Sequence, residues 1–323
     1  MAETRSAPLG RVLAAFAAVY LIWGSTYLAI QFAIQTLPPL MMGGVRFLLA
    51  GVLLYTVMRL RGEAAPTRRE WRNAAMVGVL LLLGGNGGVV LAERTVPSGV
   101  VALLVAMVPL WMVLLEWARP GGIRPTARVI TGLLVGFGGM VLLVGPGRVG
   151  GEPVDLWGAG LVMAGSLAWA AGSIYSRSAD LPRNAFLATG AEMLCGGAAL
   201  VLVGLLRGEL GAWNPATVTT ESVLGFVYLV TFGSLVGFTA YIWLLGVTTA
   251  ARVSTYAYVN PVVAVMLGWW LADEPLTARV LLAAAVIIAA VAVITTGRRP
   301  AAQPAAAREG DGTADTERES AAA

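Results

Sequence analysis

The sequence predicts an all-α polytopic membrane protein, with ten transmembrane helices arranged as two inverted five-helix repeats, and three observations predict it. Apolar runs of membrane-spanning length recur along a chain of 323 residues that is 58% hydrophobic and 12% charged, with mean hydropathy +0.77. Such a chain has too little polar surface for a water-soluble globule. The arginines collect on alternate connections between those runs. The second half of the chain repeats the first.

The runs, in order, are 12–33, 40–60, 74–92, 98–118 and 129–144, then 156–176, 185–206, 224–245, 254–271 and 280–296. Each is about 17 to 22 residues, enough to cross the hydrocarbon core as a helix at 1.5 Å per residue. Residues 1–11 read as a short cytoplasmic N-terminal segment, 12–144 as the first repeat, 145–155 as a Gly- and Pro-containing periplasmic linker and 156–296 as the second repeat. Residues 297–323, made of Ala, Pro, Gly, Thr and charged residues, cannot bury enough apolar surface to fold and read as a disordered cytoplasmic tail.

Every one of the 22 basic residues is arginine. If the runs alternate, Arg5 and Arg11, the group from Arg59 to Arg72, Arg119, Arg124 and Arg128, Arg177 and Arg183, Arg252, and Arg298 and Arg299 share one side; Arg94, Arg148, Arg207 and Arg279 take the other. The positive-inside rule makes the crowded side cytoplasmic and puts both termini there, in a bacterial cytoplasmic membrane. The pI of about 9.6 is therefore assigned to topology and not to nucleic acid. Histidine is absent and Cys195 is the sole cysteine, so a disulfide within one chain, a Cys/His zinc site and His-based catalysis are excluded; no cofactor or metal is expected.

Tyr27 aligns with Tyr175, Pro109 with Pro261, and Thr126 to Val129 with Thr277 to Val280, at an offset drifting between about 148 and 152 residues. Five runs per copy is an odd number, so the second copy enters the membrane from the opposite side. Inverted repeats around a central site are a recurrent plan of secondary transporters.

Polar groups within apolar runs need partners that lipid does not supply. Trp23, Ser25, Thr26 and Tyr27 form such a cluster, and Trp169, Ser173 and Tyr175 echo it. Arg46 and Glu192 occupy matching runs; inversion puts them at different depths, which argues against a direct ion pair. One reading has them meet substrate, water or backbone. In the other, Arg46 snorkels to headgroups and Glu192 is neutral and hydrogen-bonded. Glu93 and Glu192 are the proton-coupling candidates in a chain without histidine. Asn86 lies among Gly84, Gly85, Gly87 and Gly88, which loosen the helix around it; a cavity-lining role and an interhelical hydrogen bond stand as equal readings. Pro109 and Pro261 each withhold a backbone N–H and mark helix breaks. Near the second of these, Tyr256, Tyr258 and Asn260 complete the substrate-binding candidates. The small-residue ridge from Gly132 to Gly139 reads first as helix packing within the chain and second as a homodimer interface.

Five segments together resemble the EamA family of the drug/metabolite transporter superfamily. They are Trp23 to Tyr27; Pro38 to Met42 with Val45, Arg46 and Phe47; Gly85 to Gly87 leading to Ala92 and Glu93; Val96 to Gly99; and Ser254 to Pro261 followed by Val262 to Val265. The resemblance covers nearly all of the chain except its two tails. It implies ten helices in two inverted repeats, with a central cavity lined by the first four helices of each and a more peripheral fifth and tenth. Members of known role mostly export amino acids, nucleobase-like metabolites or toxic small molecules. The expected function is thus alternating-access export of a small organic metabolite, amino-acid-like or amphipathic, across the lipid bilayer. The competing readings are a passive channel or a scaffold acting as a dimer, and a membrane-embedded enzyme, for which no HExxH, GxSxG or phosphate-loop motif is present.

Overall fold

The computed structural model describes residues 8–122, 124–144, 148–149, 152–248, 250–253 and 255–297. The first seven residues, the tail from 298 onward and parts of the 145–155 linker lie outside the described residues. The apolar runs are helices: α1 (Leu9–Ala33), α2 (Pro39–Leu60), α3 (Arg68–Ala92), α4 (Ser98–Ala118) and α5 (Ala127–Val144), then α6 (Leu156–Ser176), α7 (Ala185–Leu206) and α8 (Thr220–Val247). These eight are long and apolar enough to cross a membrane; α9 (Tyr256–Leu271) and, counted over Ala278–Ile294, α10 (Ala278–Gly297) are shorter apolar helices. Short connections were not all foreseen. Arg148–Val149 pairs antiparallel with Glu152–Pro153 inside the linker, and a one-turn helix, Glu209–Ala212, precedes α8.

Helix starts follow the sequence. Pro39 occupies the first turn of α2, where a missing N–H costs nothing. Thr67 and Glu70 close a capping box on α3, Asp155 caps α6 and Asn184 caps α7. One helix is interrupted and two are widened. In α4 the regular helix ends at Val105 and restarts at Val108, so Pro109 sits in a first turn; α9 runs unbroken through Pro261. In α3 and α8 the helix widens to π geometry over Val79–Asn86 and Leu229–Val236, the same eight positions at an offset of 150 residues (229 minus 79). A wider turn of this kind is a frequent feature of functional sites.

The packing partners exchange when each helix number is raised by five. α2 packs on α7 and α5 on α10; α1 packs on α8 and α9 as α6 packs on α3 and α4. Lipid supplies no hydrophobic drive between helices, so close approach must come from small residues. A Cβ added at Gly51 or Gly197 would lie 2.9 Å from the backbone nitrogen of Leu194 or Leu48, which brings α2 and α7 to backbone contact. The ridge on α5 is filled from within the chain: an added Cβ at Gly132 would meet Ile294, and one at Gly139 would meet Ile287, both on α10.

Candidate functional site

Where α1 and α2 meet α8, the polar side chains form one connected cluster. Gly24 lets α1 approach α9 so closely that a Cβ there would lie 2.6 Å from Cβ of Val263. That approach sets Trp23 among Phe238, Tyr241 and Tyr256, with ring centroids 5.2, 5.1 and 5.3 Å away. The indole Nε1 donates to the Gly233 carbonyl at 3.2 Å, inside the π segment of α8. Widening a helix frees carbonyls from their regular partners, and the indole takes one of them. Ser234, fully buried, accepts from Nε of Arg46 at 2.8 Å; the Arg46 guanidinium also lies 4.7 Å from the ring centroid of Phe47. Arg46 is 4% exposed, so it does not snorkel to headgroups.

Glu93 ends α3 and is equally buried, at 5% exposed, and neither carboxylate oxygen has a hydrogen-bond partner. Arg46 and Tyr27 lie within its electrostatic reach, as does Glu274. Glu274 itself is committed. Its Oε1 accepts from the backbone N–H and hydroxyl of Ser98, each at 2.6 Å, and its Oε2 from the N–H of Gly99 at 3.0 Å, so it holds the start of α4 from beyond the end of α9. Glu209 does the same for α2, with Oε2 accepting from the N–H groups of Leu40 and Met41 at 3.0 Å each.

A second cluster surrounds Glu192. With Trp169, Thr189, Phe238 and residues of α3 it lines a small void. Trp169 lies over the π segment of α3, where a Cβ at Gly85 would be 2.7 Å from the indole Cε3. The two indoles thus occupy matching places, each on the widened helix of the opposite half. Phe238 joins them, since it packs on Trp23 and lines the void beside Trp169.

The sequence-derived candidates fall into distinct groups. Trp23, Arg46 and Tyr256 come together with α8, and Tyr27 and Glu93 lie beside them. Glu192 stands apart, and the bonded partner of Arg46 is Ser234. The Ser25 hydroxyl donates to the Ile22 carbonyl at 2.9 Å and shares a 2.6 Å hydrogen bond with the Tyr228 hydroxyl. Asn260, its amide turned to donate, reaches the carbonyls of Tyr20 and Tyr256, each at 3.3 Å. Tyr258 packs against the main apolar core, and Asn86 ends the π segment of α3, half-buried. Tyr175 has a bonded partner of its own. It sits near the end of α6 and donates to Oδ1 of Asn73 at 2.9 Å, while the amide of Asn73 donates to the Asp180 carbonyl. The Ser173 carbonyl accepts from Ser176 on the same stretch of α6.

Sequence reasoning passed over Ser234, Gly233, Tyr228, Phe238 and Tyr241 on α8. The available signal was the repeat. Gly84 and Gly85 drew attention on the third run, and Gly233 and Ser234 stand at the corresponding place on the eighth.

The EamA-like transporter family matches twice, at residues 10–145 and 156–296. The chain is 42% identical over 261 residues to the uncharacterized inner membrane transporter YedA of Escherichia coli (strain K12), covering 80% of this chain and 82% of that protein. It is 24% identical over 276 residues to the transporter YvbV of Bacillus subtilis (strain 168), covering 85% and 88%. It is 25% identical over 269 residues to the protein PecM of Dickeya dadantii (strain 3937), covering 81% and 84%. A solved crystal structure, 21% identical, shares the fold with a TM-score of 0.60 over 90% of this chain and 99% of the other. With both halves matched and a bundle of apolar helices around a polar seam, the chain belongs to the EamA-like transporter family, a membrane transporter with multiple transmembrane helices.

Proposed function

We propose that the protein is a secondary transporter that exports small organic metabolites, amino-acid-like or amphipathic, from the bacterial cytoplasm by alternating access. In this reading α1 to α10 all cross the inner membrane, the two five-helix halves insert in opposite senses, and both termini are cytoplasmic. The observation that carries it is the reciprocal seam: each half lays the indole of its first helix, Trp23 or Trp169, on the π segment of the other. A seam built of two matching contacts can be tightened on one side while it loosens on the other, which is the motion alternating access requires.

The substrate's surroundings on this reading are Trp23, Tyr27, Arg46 and Tyr256 on one side of Phe238, and Trp169 and Glu192 on the other. Aromatic faces supply apolar area, while Arg46 and Glu192 offer opposite charges at separated points. Ser25, Tyr175 and Asn260, being bonded to Tyr228, Asn73 and neighbouring carbonyls, hold helices together instead. The test is flux into proteoliposomes across a broad panel of radiolabelled metabolites. Saturable uptake, competed by unlabelled compound and lost in Trp23→Ala, supports the proposal. Non-saturating flux would mean a channel, and absence of flux across the panel would count against transport.

A further inference from the structure

We propose that Glu93 carries the proton of the transport cycle and that Arg46 exchanges partners with it, bonding Ser234 while Glu93 is protonated and Glu93 once it is ionised. The proposal rests on the transporter reading above and deepens it by naming the coupling ion and the groups that sense it.

Two observations lead there. Glu93 is buried with both oxygens unpartnered, a state in which an ionised carboxylate has no protein donor to stabilise it. Arg46, the buried cation within its electrostatic reach, gives its Nε to Ser234 on α8. No donor lies within hydrogen-bonding distance of Glu93 in this arrangement, and a neutral Glu93 fits it where an anion does not.

The charged and titratable groups around Glu93 set the balance. Tyr27 faces it from α1 and Arg46 from α2, while Glu274, bonded to the start of α4, faces it from beyond α9. Arg94, next in the chain, is exposed, and Asp155 at the start of α6 is held by Thr95. Glu274 and Arg46 bring opposite charges to bear on the buried Glu93, so the partner Arg46 chooses decides the outcome. When the O–H bond of Glu93 breaks, the proton passes to water of whichever compartment the site faces, and the new carboxylate draws Arg46 away from Ser234. That removes the α2–α8 link directly beside Gly233, where the Trp23 indole is bonded. When a proton returns, Arg46 is released to Ser234 and the seam closes.

The test needs no substrate. The full chain is reconstituted in phosphatidylethanolamine–phosphatidylglycerol vesicles, and the infrared carbonyl band of protonated carboxyl groups is followed from pH 5 to pH 9. A band that fades as pH rises and is missing from Glu93→Gln is the expected result, with the band retained in Glu116→Gln. Ser234→Ala, which frees Arg46 for the carboxylate, moves the fading to lower pH by about one unit, a tenfold change in proton concentration. If Glu93→Gln alters nothing across the range, or Ser234→Ala leaves the fading where it was, the proposal is overturned. Should Glu93→Gln fail to fold, the Ser234→Ala comparison decides alone. Saturable metabolite flux from a protein whose Glu93 does not titrate overturns the proton's role and leaves the transporter reading standing. A titrating Glu93 in a protein that moves no metabolite overturns the transporter reading, and the proton's role with it.

Discussion

The buried guanidinium of Arg46 depends on Ser234, because a donor left bare in the membrane interior loses its solvation without compensation. Replacing Ser234 by alanine therefore costs about 1.5 to 3 kcal/mol by the usual value of a hydrogen bond to a charged group, unless Arg46 finds Glu93. Thermal unfolding in detergent measures it, and the cost is expected to be larger at low pH, where Glu93 offers no charge to turn to. Tyr228→Phe is the milder comparison. Ser25 keeps its bond to the Ile22 carbonyl when the tyrosine hydroxyl goes, so the loss is about 1 kcal/mol or less. At the bundle's edge, Asp155 is held below the ordinary carboxylate range by the Thr95 hydroxyl and then by the backbone N–H of Gly158. A group with a depressed folded value contributes stability that is complete above its unfolded value, about 3.9 for aspartate, and is lost as pH falls through the folded one. Asp155→Asn should unfold at lower temperature than the parent at pH 7, with the difference closing on acidification below about pH 4. A constant difference across that range would show that the charge plays no part.

Helices were legible as apolar runs, but their interruptions were only half legible. Both prolines read as helix breaks; the regular helix stops before Pro109, which lies in the first turn of the restarted α4, whereas α9 is continuous through Pro261. The π segments had no such marker. Each lies against an indole from the opposite half, a contact between residues more than 80 positions apart that no local pattern encodes. The two polar clusters also differ in what they meet: Trp23 and Trp169 each lie on the π segment of the opposite half, whereas Tyr175 bonds to Asn73. Glycine placement gives the sharpest prediction at this scale. A Cβ at Gly138 meets nothing within 4 Å, while one at Gly139 would stand 2.9 Å from side-chain atoms of both Ile287 and Val286. Gly138→Ala should raise stability by up to about 1 kcal/mol through helix propensity. Gly139→Ala should lower it by about 1 to 3 kcal/mol through overpacking. Equal effects at the two adjacent sites, read as unfolding midpoints, would mean that the α5–α10 contact is looser than the structure has it.

For the whole molecule, the question is which end of the seam opens first, and the bonds at the two ends differ in kind. At one end, Glu274 and Glu209 each accept backbone N–H bonds at the start of a helix in the opposite half, partly buried and aided by the helix dipole. At the other, Arg69 pairs with Asp180 at 3.1 Å with both side chains mostly exposed, at 71% and 60%, and the buried Asn73 adds only neutral hydrogen bonds, to the Tyr175 hydroxyl and the Asp180 carbonyl. An exposed pair contributes about 0 to 1 kcal/mol, and charge-assisted bonds to a helix start contribute more. On the proposed orientation the Asp180 end is cytoplasmic, so the resting protein should open inward more readily than outward, as the proposed exporter loading from the cytoplasm requires. In a Cys195→Ser background, Ala74→Cys lies near the Asp180 end and Val100→Cys near the Glu274 end, and both positions are buried. A soluble thiol reagent should modify Ala74→Cys faster than Val100→Cys in detergent, where both ends are reachable. Adding Glu274→Gln should speed modification at Val100→Cys severalfold, because a neutral amide accepts more weakly from the three donors of Ser98 and Gly99. Adding Asp180→Asn should change the rate at Ala74→Cys little, since its exposed pair holds little. Faster labelling at Val100→Cys in the unaltered background would reverse the order of opening, and would place the resting bias toward the outside.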